Sequence, residues 1–204
     1  MLDDPSAGAI SDLAFYDAAP GDAVGAFAAP VVDGGSLVGV LAVLYDGALL
    51  TNRITNDQEW ADAGFDDTAD VYLVGADGTL RTDPRPYLED PRAFLDASEA
   101  AGTITADQRE RIEQLGTTVL TLPATAATFR DLERSADPGD DAVGDGAGAV
   151  TDRTSFDGTE VVATVTPLVA SVPDLADALE WTVVAEAARA EAERPLIDFR
   201  NLLV

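Results

Sequence analysis

The chain has 204 residues, 38 acidic against 12 basic, and a net charge of −26 at pH 7. Every basic residue is Arg, and the absence of Lys, His and Cys removes disulfides, thiolate or imidazole metal sites, cysteine nucleophiles, Ser-His-Asp triads, Schiff-base lysines and P-loops. An acidic excess spread along the whole chain disfavours nucleic acid and anionic membranes as partners, and suits a surface adapted to concentrated salt, where self-repulsion is screened over a few ångströms.

Residues 1–22 read as a loop with one short edge strand, since Leu13, Phe15 and Tyr16 form its only bulky apolar cluster. Residues 23–32 and 36–45 are apolar runs joined by Asp33-Gly34-Gly35, a hairpin whose strands, apolar on both faces, are expected inside a sheet. Asp46 stands just beyond it. Leu50, Ile54 and Trp60 then place a helix over 49–63, ending before Gly64.

The stretch 70–85, DVYLVGADGTLRTDPR, carries the strongest hairpin signal, a β-rich run returning through Asp77-Gly78. A two-residue turn there sets Val74 opposite Arg81 and Tyr72 opposite Asp83. Tyr72, Val74, Arg81 and Asp83 then share one face, with Val71, Leu73 and Leu80 on the other. A guanidinium, a carboxylate and a phenol on one face could read a small ligand, or form an ordinary solvated ion pair.

Asp83-Pro84-Arg85-Pro86 breaks regular structure. Helices follow over 91–101 and 105–115, the second with Thr105 and Gln108 placed as a capping box and Gly116 as its stop. A short β-rich run covers 117–122, a helix 124–134 and a polar loop 136–148. A third hairpin spans 149–167 around Asp157-Gly158, and Trp181 opens a final strand over 181–185. A helix over 186–203 bends at Pro195 and breaks off in Leu202-Leu203-Val204. No apolar run has the length of a membrane span, and the first residues do not form a signal peptide. Both ends look cut, so a fragment of a longer protein is expected.

From Tyr72 on, two hairpins and a lone strand predict a five-stranded antiparallel sheet with helices inserted after its second strand, an α+β arrangement. Trp60 and Trp181 are expected as core anchors. The Asp-rich segment 137–146 lacks EF-hand spacing and its terminal Glu, so no metal site is assigned. Nor does any motif identify a catalytic residue or a cofactor.

The runs AFAAPVVDGGSLVGVLAV, Asn52-Arg53-Ile54 with Trp60, DVYLVGADGTLRTDPR, FDGTEVVATVTPL and EWTVVAE, in that order over about residues 20–190, resemble the double Cache extracytoplasmic sensor region of prokaryotic membrane receptors. Such regions precede chemotaxis-transducer, histidine kinase or nucleotide cyclase output domains. The resemblance implies that 1–47 end a membrane-distal module, 48–68 connect, 69–187 form a PAS-like membrane-proximal module, and 188–204 lead toward a membrane segment. In amino-acid-binding members an Asp follows the strand corresponding to residues 38–43; Asp46 stands near that place, offset along the chain.

The expectation is therefore a non-catalytic, extracytoplasmic ligand-sensing domain with Tyr72, Arg81, Asp83 and Asp46 as ligand-binding candidates. Its partner would be a small molecule such as an amino or organic acid, with membrane contact only through segments outside this chain; a homodimer stays open. The competing expectations are an acid-dependent hydrolase using paired carboxylates and a calcium-binding cell-surface domain.

Overall fold

The computed structural model of the protein describes residues 8–17, 19–62, 64–124, 151–168 and 179–194. The expected helix at 124–134 beyond its first residue, the loops at 136–148 and around Pro173, and the Pro195 bend lie outside the described residues.

Two antiparallel sheets form the frame. The first joins β1 (Ala9–Tyr16), β2 (Ala19–Asp33) and β3 (Ser36–Asp46) in the order β1-β2-β3. The second joins β4 (Asp70–Val74), β5 (Thr151–Thr154), β6 (Glu160–Pro167) and β7 (Thr182–Ala188) in the order β4-β7-β6-β5. Helices α1 (Gly47–Ile54), α2 (Arg85–Glu89), α3 (Pro91–Ala101), α4 (Ala106–Leu115) and α5 (Arg189–Ala192) complete the described elements. The α+β class stands as expected, and both later hairpins share one sheet through β7. The fifth strand does not form: the return limb after β4 pairs its backbone with it only at the bridge between Val74 and Leu80, and the Thr82 hydroxyl accepts from the Leu73 amide.

That bridge shifts the expected register by one residue. Gly75 donates its amide to the Thr79 carbonyl and Gly78 to the Gly75 carbonyl, so the loop holds three residues, Ala76, Asp77 and Gly78. Gly78 has φ 75°, the left-handed position that closes a type I turn with a bulge. The same loop recurs at 155–159, where Gly158 has φ 89° and the Ser155 and Gly158 amides make the equivalent bonds. In both loops the Asp carboxylate accepts from the following Thr amide at 2.9 Å. Because side chains alternate, one residue of slip moves each to the opposite face. Leu80, not Arg81, joins Tyr72 and Val74.

Those three side chains belong to the larger core, with Tyr87, Phe94, Leu95, Ile112, Phe156, Val165 and Val184, where α2, α3 and α4 cover one face of the second sheet. Val161, Ala163 and Val165 point inward from β6. The opposite face contributes Leu73, Trp181 and Val183 to a second cluster with Leu13, Ala23 and Tyr45 of the first sheet, and with Leu50 and Ile54 of α1. Trp181 is thus a core anchor. Trp60 is only half-buried and packs edge-on against Phe65, ring centroids 6.1 Å apart.

Helix α4 has its capping box: Thr105 Oγ1 accepts from the Gln108 amide, and Gln108 Oε1 from the Thr105 amide. Thr105→Ala is expected to lower unfolding free energy by about 1 kcal/mol, measured by urea denaturation, because the cap bond is lost from the helix end. Helix α1 is shorter than the sequence predicts. It ends at Ile54, and Asn56, Asp57 and Gln58 turn the chain through positive φ. Residues 117–122 form turns rather than a strand, and 85–89 form a helix rather than irregular chain. β7 continues to Ala188, so Glu186 lies in a strand and not at a helix start.

The expectation fails most plainly at β3. Its apolar side chains are not interior: Leu37, Val38, Val40, Leu41, Val43 and Leu44 are all exposed.

Candidate functional site

The structure does not bring the four predicted ligand residues together. Tyr72 is fully buried on the helix-covered face, where its hydroxyl donates to Glu186 Oε2 at 3.1 Å. Arg81 turns to the opposite face. Asp83 and Asp46 alone of the four share a cavity.

Arg81 joins the two sheets. Its Nε and Nη2 donate to the two carboxylate oxygens of Asp12 on β1 at 2.8 and 2.7 Å, and its Nη1 reaches Asp77 at 3.0 Å. Asp12 Oδ1 also accepts from Trp181 Nε1 at 2.9 Å. Tyr45 lies edge-on to Trp181 and donates its hydroxyl to the Ser11 carbonyl at 2.6 Å. Burial works against the Arg81 charge, but the Asp12 and Asp77 carboxylates more than offset it and hold the guanidinium above its ordinary pKa. This fork-to-fork pair spans 69 positions of sequence, and no local pattern announces it.

Beside this latch, where α1 begins, lies a cavity of about 190 Å³ lined by Asp22, Asp46, Asp83, Thr117 and Val119 among others. Asp46 caps α1 by accepting from the Leu49 amide at 2.6 Å. Asp83 accepts from the amide and hydroxyl of Thr118, both at 2.6 Å, and from the Thr117 hydroxyl at 3.0 Å. Burial still pushes its pKa up, against those bonds. Three carboxylates and no cation line this space, so its field favours a cationic group. Among the described residues no His, Cys, Asp or Glu cluster is arranged to hold a metal ion.

A second polar group lies under the helices. Asp70 on β4 pairs in register with Glu186 on β7, and both are buried. Glu186 Oε1 accepts from Ser155 Oγ at 2.6 Å and Oε2 from Tyr72. Asp70 Oδ1 accepts from the Val71 and Arg85 amides at 2.8 and 2.9 Å. Burial raises Asp70 to about 7 despite the Arg85 amide, and the Glu186 charge adds to the rise. Burial likewise raises Glu186 against its Ser155 and Tyr72 bonds and the Arg153 charge. The sequence predicts a helix from residue 186 onward, in which Glu186 has no reason to face the sheet's interior. The alternation of Thr182, Val184 and Glu186 was the available signal that an acid faces inward.

Just past α5's start, Glu191 accepts from the Thr68 amide at 2.9 Å and from the Thr68 hydroxyl. The segments entering β4 and leaving β7 are therefore fastened to each other.

No family model matches the sequence, and no curated protein does. Among solved structures, the ligand-binding domain of the Pseudomonas fluorescens chemoreceptor CtaA in complex with L-alanine is similar at 15% identity and TM-score 0.48, over 90% of this chain and 56% of that one. The ligand-binding domain of the Pseudomonas aeruginosa PAO1 chemoreceptor PctC in complex with GABA gives 16%, a TM-score of 0.43, and coverage of 89% and 56%. That of PctB with L-Arg gives 14% and 0.42, with 87% and 49% covered. The chain thus spans about half the length of these domains.

Proposed function

We propose that the protein is a non-catalytic, extracytoplasmic ligand-sensing domain of a membrane receptor from a salt-rich environment. In this reading 1–47 close a membrane-distal module, 48–68 connect, 69–187 form the membrane-proximal module and 188–204 carry the signal onward. The observation that carries it is the placement of β7. This strand lies between β4 and β6 and runs directly into α5, so a shift in sheet packing is passed to α5 without an intervening loop. Glu191 bonded to Thr68 holds α5 against the segment that enters β4. An acid-dependent hydrolase is less well supported, since the facing pair Asp70 and Glu186 is buried rather than set in an open cleft.

The ligand site in this proposal is the cavity holding Asp46 and Asp83, with Asp22 on its wall. Its charge selects a small amine-bearing molecule over a simple organic acid. Tyr72 and Arg81 act one layer away, through the Glu186 bond and the Asp12 latch. Calorimetric titration in molar NaCl should find binding of an amino acid and none of a dicarboxylate. Asp46→Asn keeps the helix cap, because Asn caps as well as Asp, yet removes a charge; together with Asp22→Asn it should weaken binding about tenfold, equivalent to about 1.4 kcal/mol. Dicarboxylate binding, or affinity unchanged in both variants, would remove this cavity from consideration.

A further inference from the structure

We infer that the groove where α2, α3 and α4 converge is a second ligand site, of opposite charge preference to the acidic cavity, and that it takes a small monocarboxylate with an apolar body. The groove encloses about 590 Å³ and is lined by Tyr87 of α2, by Pro91, Arg92 and Leu95 of α3, and by Arg109 and Glu113 of α4. That volume falls within the range of about 300–1,000 Å³ usual for small-molecule sites.

Two polar groups in the groove are left without partners by the fold. Tyr87 is only 6% exposed, with its ring edge-on to Phe94 at 5.8 Å between centroids, yet among the described residues its hydroxyl makes no hydrogen bond. Buried hydroxyls are ordinarily bonded: the phenol of Tyr72 donates to Glu186, and that of Tyr45 to the Ser11 carbonyl. Burial, with the Asp83 and Glu113 charges, pushes the Tyr87 phenol up to about 12, so it keeps the proton with which to donate. Those two carboxylates are already met, Asp83 by Thr117 and Thr118 and Glu113 by Arg109.

Arg92 is the second such group. Arginines near it are engaged: Arg85 pairs with Glu89, Arg109 with Asp96, Glu99 and Glu113, and Arg111 stacks over Phe15. Among the described residues Arg92 has neither an ion pair nor a hydrogen bond, in a chain with 38 acidic residues against 12 basic. The lining thus sets two guanidinium groups against one carboxylate, whereas the acidic cavity has three carboxylates and no cation.

These groups select the ligand. Arg109 already gives Nε, Nη1 and Nη2 to three carboxylates, so the fork of Arg92 alone has donors to spare, enough for one carboxylate. A second carboxylate on the ligand would meet Glu113 and the other acids around Arg109. Leu95, Pro91 and the Tyr87 ring offer contact to an apolar body. The end of α3 itself adds little, because Pro91 has no amide proton and Asp90 already caps the Ala93 amide.

Phenylacetate is the probe, titrated against the whole chain in molar NaCl and followed by ligand NMR. It should bind with a dissociation constant on the order of 1 mM, phenylacetamide at least about tenfold more weakly because it lacks the charge, and succinate not measurably. Arg92→Gln should weaken phenylacetate binding about tenfold without moving the melting temperature, since the side chain has no partner to lose. Arg92→Lys should recover part of the affinity. Tyr87→Phe should weaken binding roughly fivefold. Asp46→Asn with Asp22→Asn alters only the acidic cavity and should leave phenylacetate affinity unchanged, so the two sites succeed or fail separately. No phenylacetate binding in the millimolar range, equal binding of phenylacetamide, an affinity indifferent to Arg92→Gln, or binding abolished by Asp46→Asn with Asp22→Asn would each overturn the inference.

Discussion

Arg81→Met should lower the unfolding free energy by about 2–4 kcal/mol, less than for a fully buried pair, because Arg81 is buried but the Asp12 side chain is 31% exposed and its stranded charge is partly hydrated. Asp12 would keep its bond from Trp181 Nε1 at 2.9 Å but would lose both guanidinium bonds, and Asp77 would lose its cation. For a chain of this size the midpoint temperature should fall by about 10 °C. Arg81→Lys keeps the charge but not the fork, and should recover only part of the loss. Removing the stranded carboxylate too, in Arg81→Met with Asp12→Ala, should restore more stability than the single changes add up to, because the largest element of the penalty is the orphaned charge. In a Trp60→Phe background Trp181 is the sole indole, since the sequence has two Trp. Its fluorescence should then report loosening of the first sheet from the second before global unfolding. A loss below about 1 kcal/mol would mean that the apolar cluster of Leu13, Tyr45, Leu73 and Trp181 holds the sheets together without the ion pair.

The latch also shows which parts of the architecture were legible in the residues. Features set by neighbours a few positions apart were readable: the capping box at Thr105 and Gln108, the helix stop at Gly116, the Asp-Gly turns. What was misread turned on single-residue or long-range detail. Asp77-Gly78 suits a two-residue turn equally well by composition, yet Gly78 closes a three-residue loop with Ala76 inside it. That difference of one residue took Arg81 away from Tyr72 and gave it to Asp12. Nothing near Asp12 in sequence points to position 81. At β3 the difficulty was of another kind: an apolar run states that a strand would be stable when covered, and does not state what supplies the cover. The candidate cavity was half legible, since Asp83 was singled out from the hairpin and Asp46 from the family resemblance, and the fold unites them, while Asp22 lay in a stretch read as loop.

Stability should rise as pH falls from about 8 toward about 5, an unusual direction that follows from the buried carboxylates. Asp70 titrates at about 7 in the folded protein against an ordinary value of 3.8, so between those limits the folded state holds a proton that the unfolded chain has released. Folding then takes up protons, and its free energy improves with acid; the contribution is complete below the unfolded value and is lost as pH rises through the folded one. For Asp70 the span corresponds to at most on the order of 4 kcal/mol. Glu186 and Asp83, both raised chiefly by burial, act in the same direction. Asp77 opposes them: burial pushes it up, but the Thr79 amide and Arg81 together pull it below its ordinary value, so its contribution disappears in acid and sets the lower side of the optimum. Loss of net negative charge would also favour the compact state on acidification, and molar salt separates the two effects by screening the surface while leaving the interior unscreened. Urea unfolding followed by circular dichroism across about pH 4.5–8.5 in molar NaCl should therefore retain most of the slope. Asp70→Asn preserves the acceptor for the Val71 and Arg85 amides and cannot ionise beside Glu186. It should stabilise the protein at about pH 8, change little at about pH 5, and flatten the profile between. A profile that is level or climbs toward alkaline pH, or one that Asp70→Asn leaves as steep as before, would show that Asp70 does not hold its proton inside the sheet.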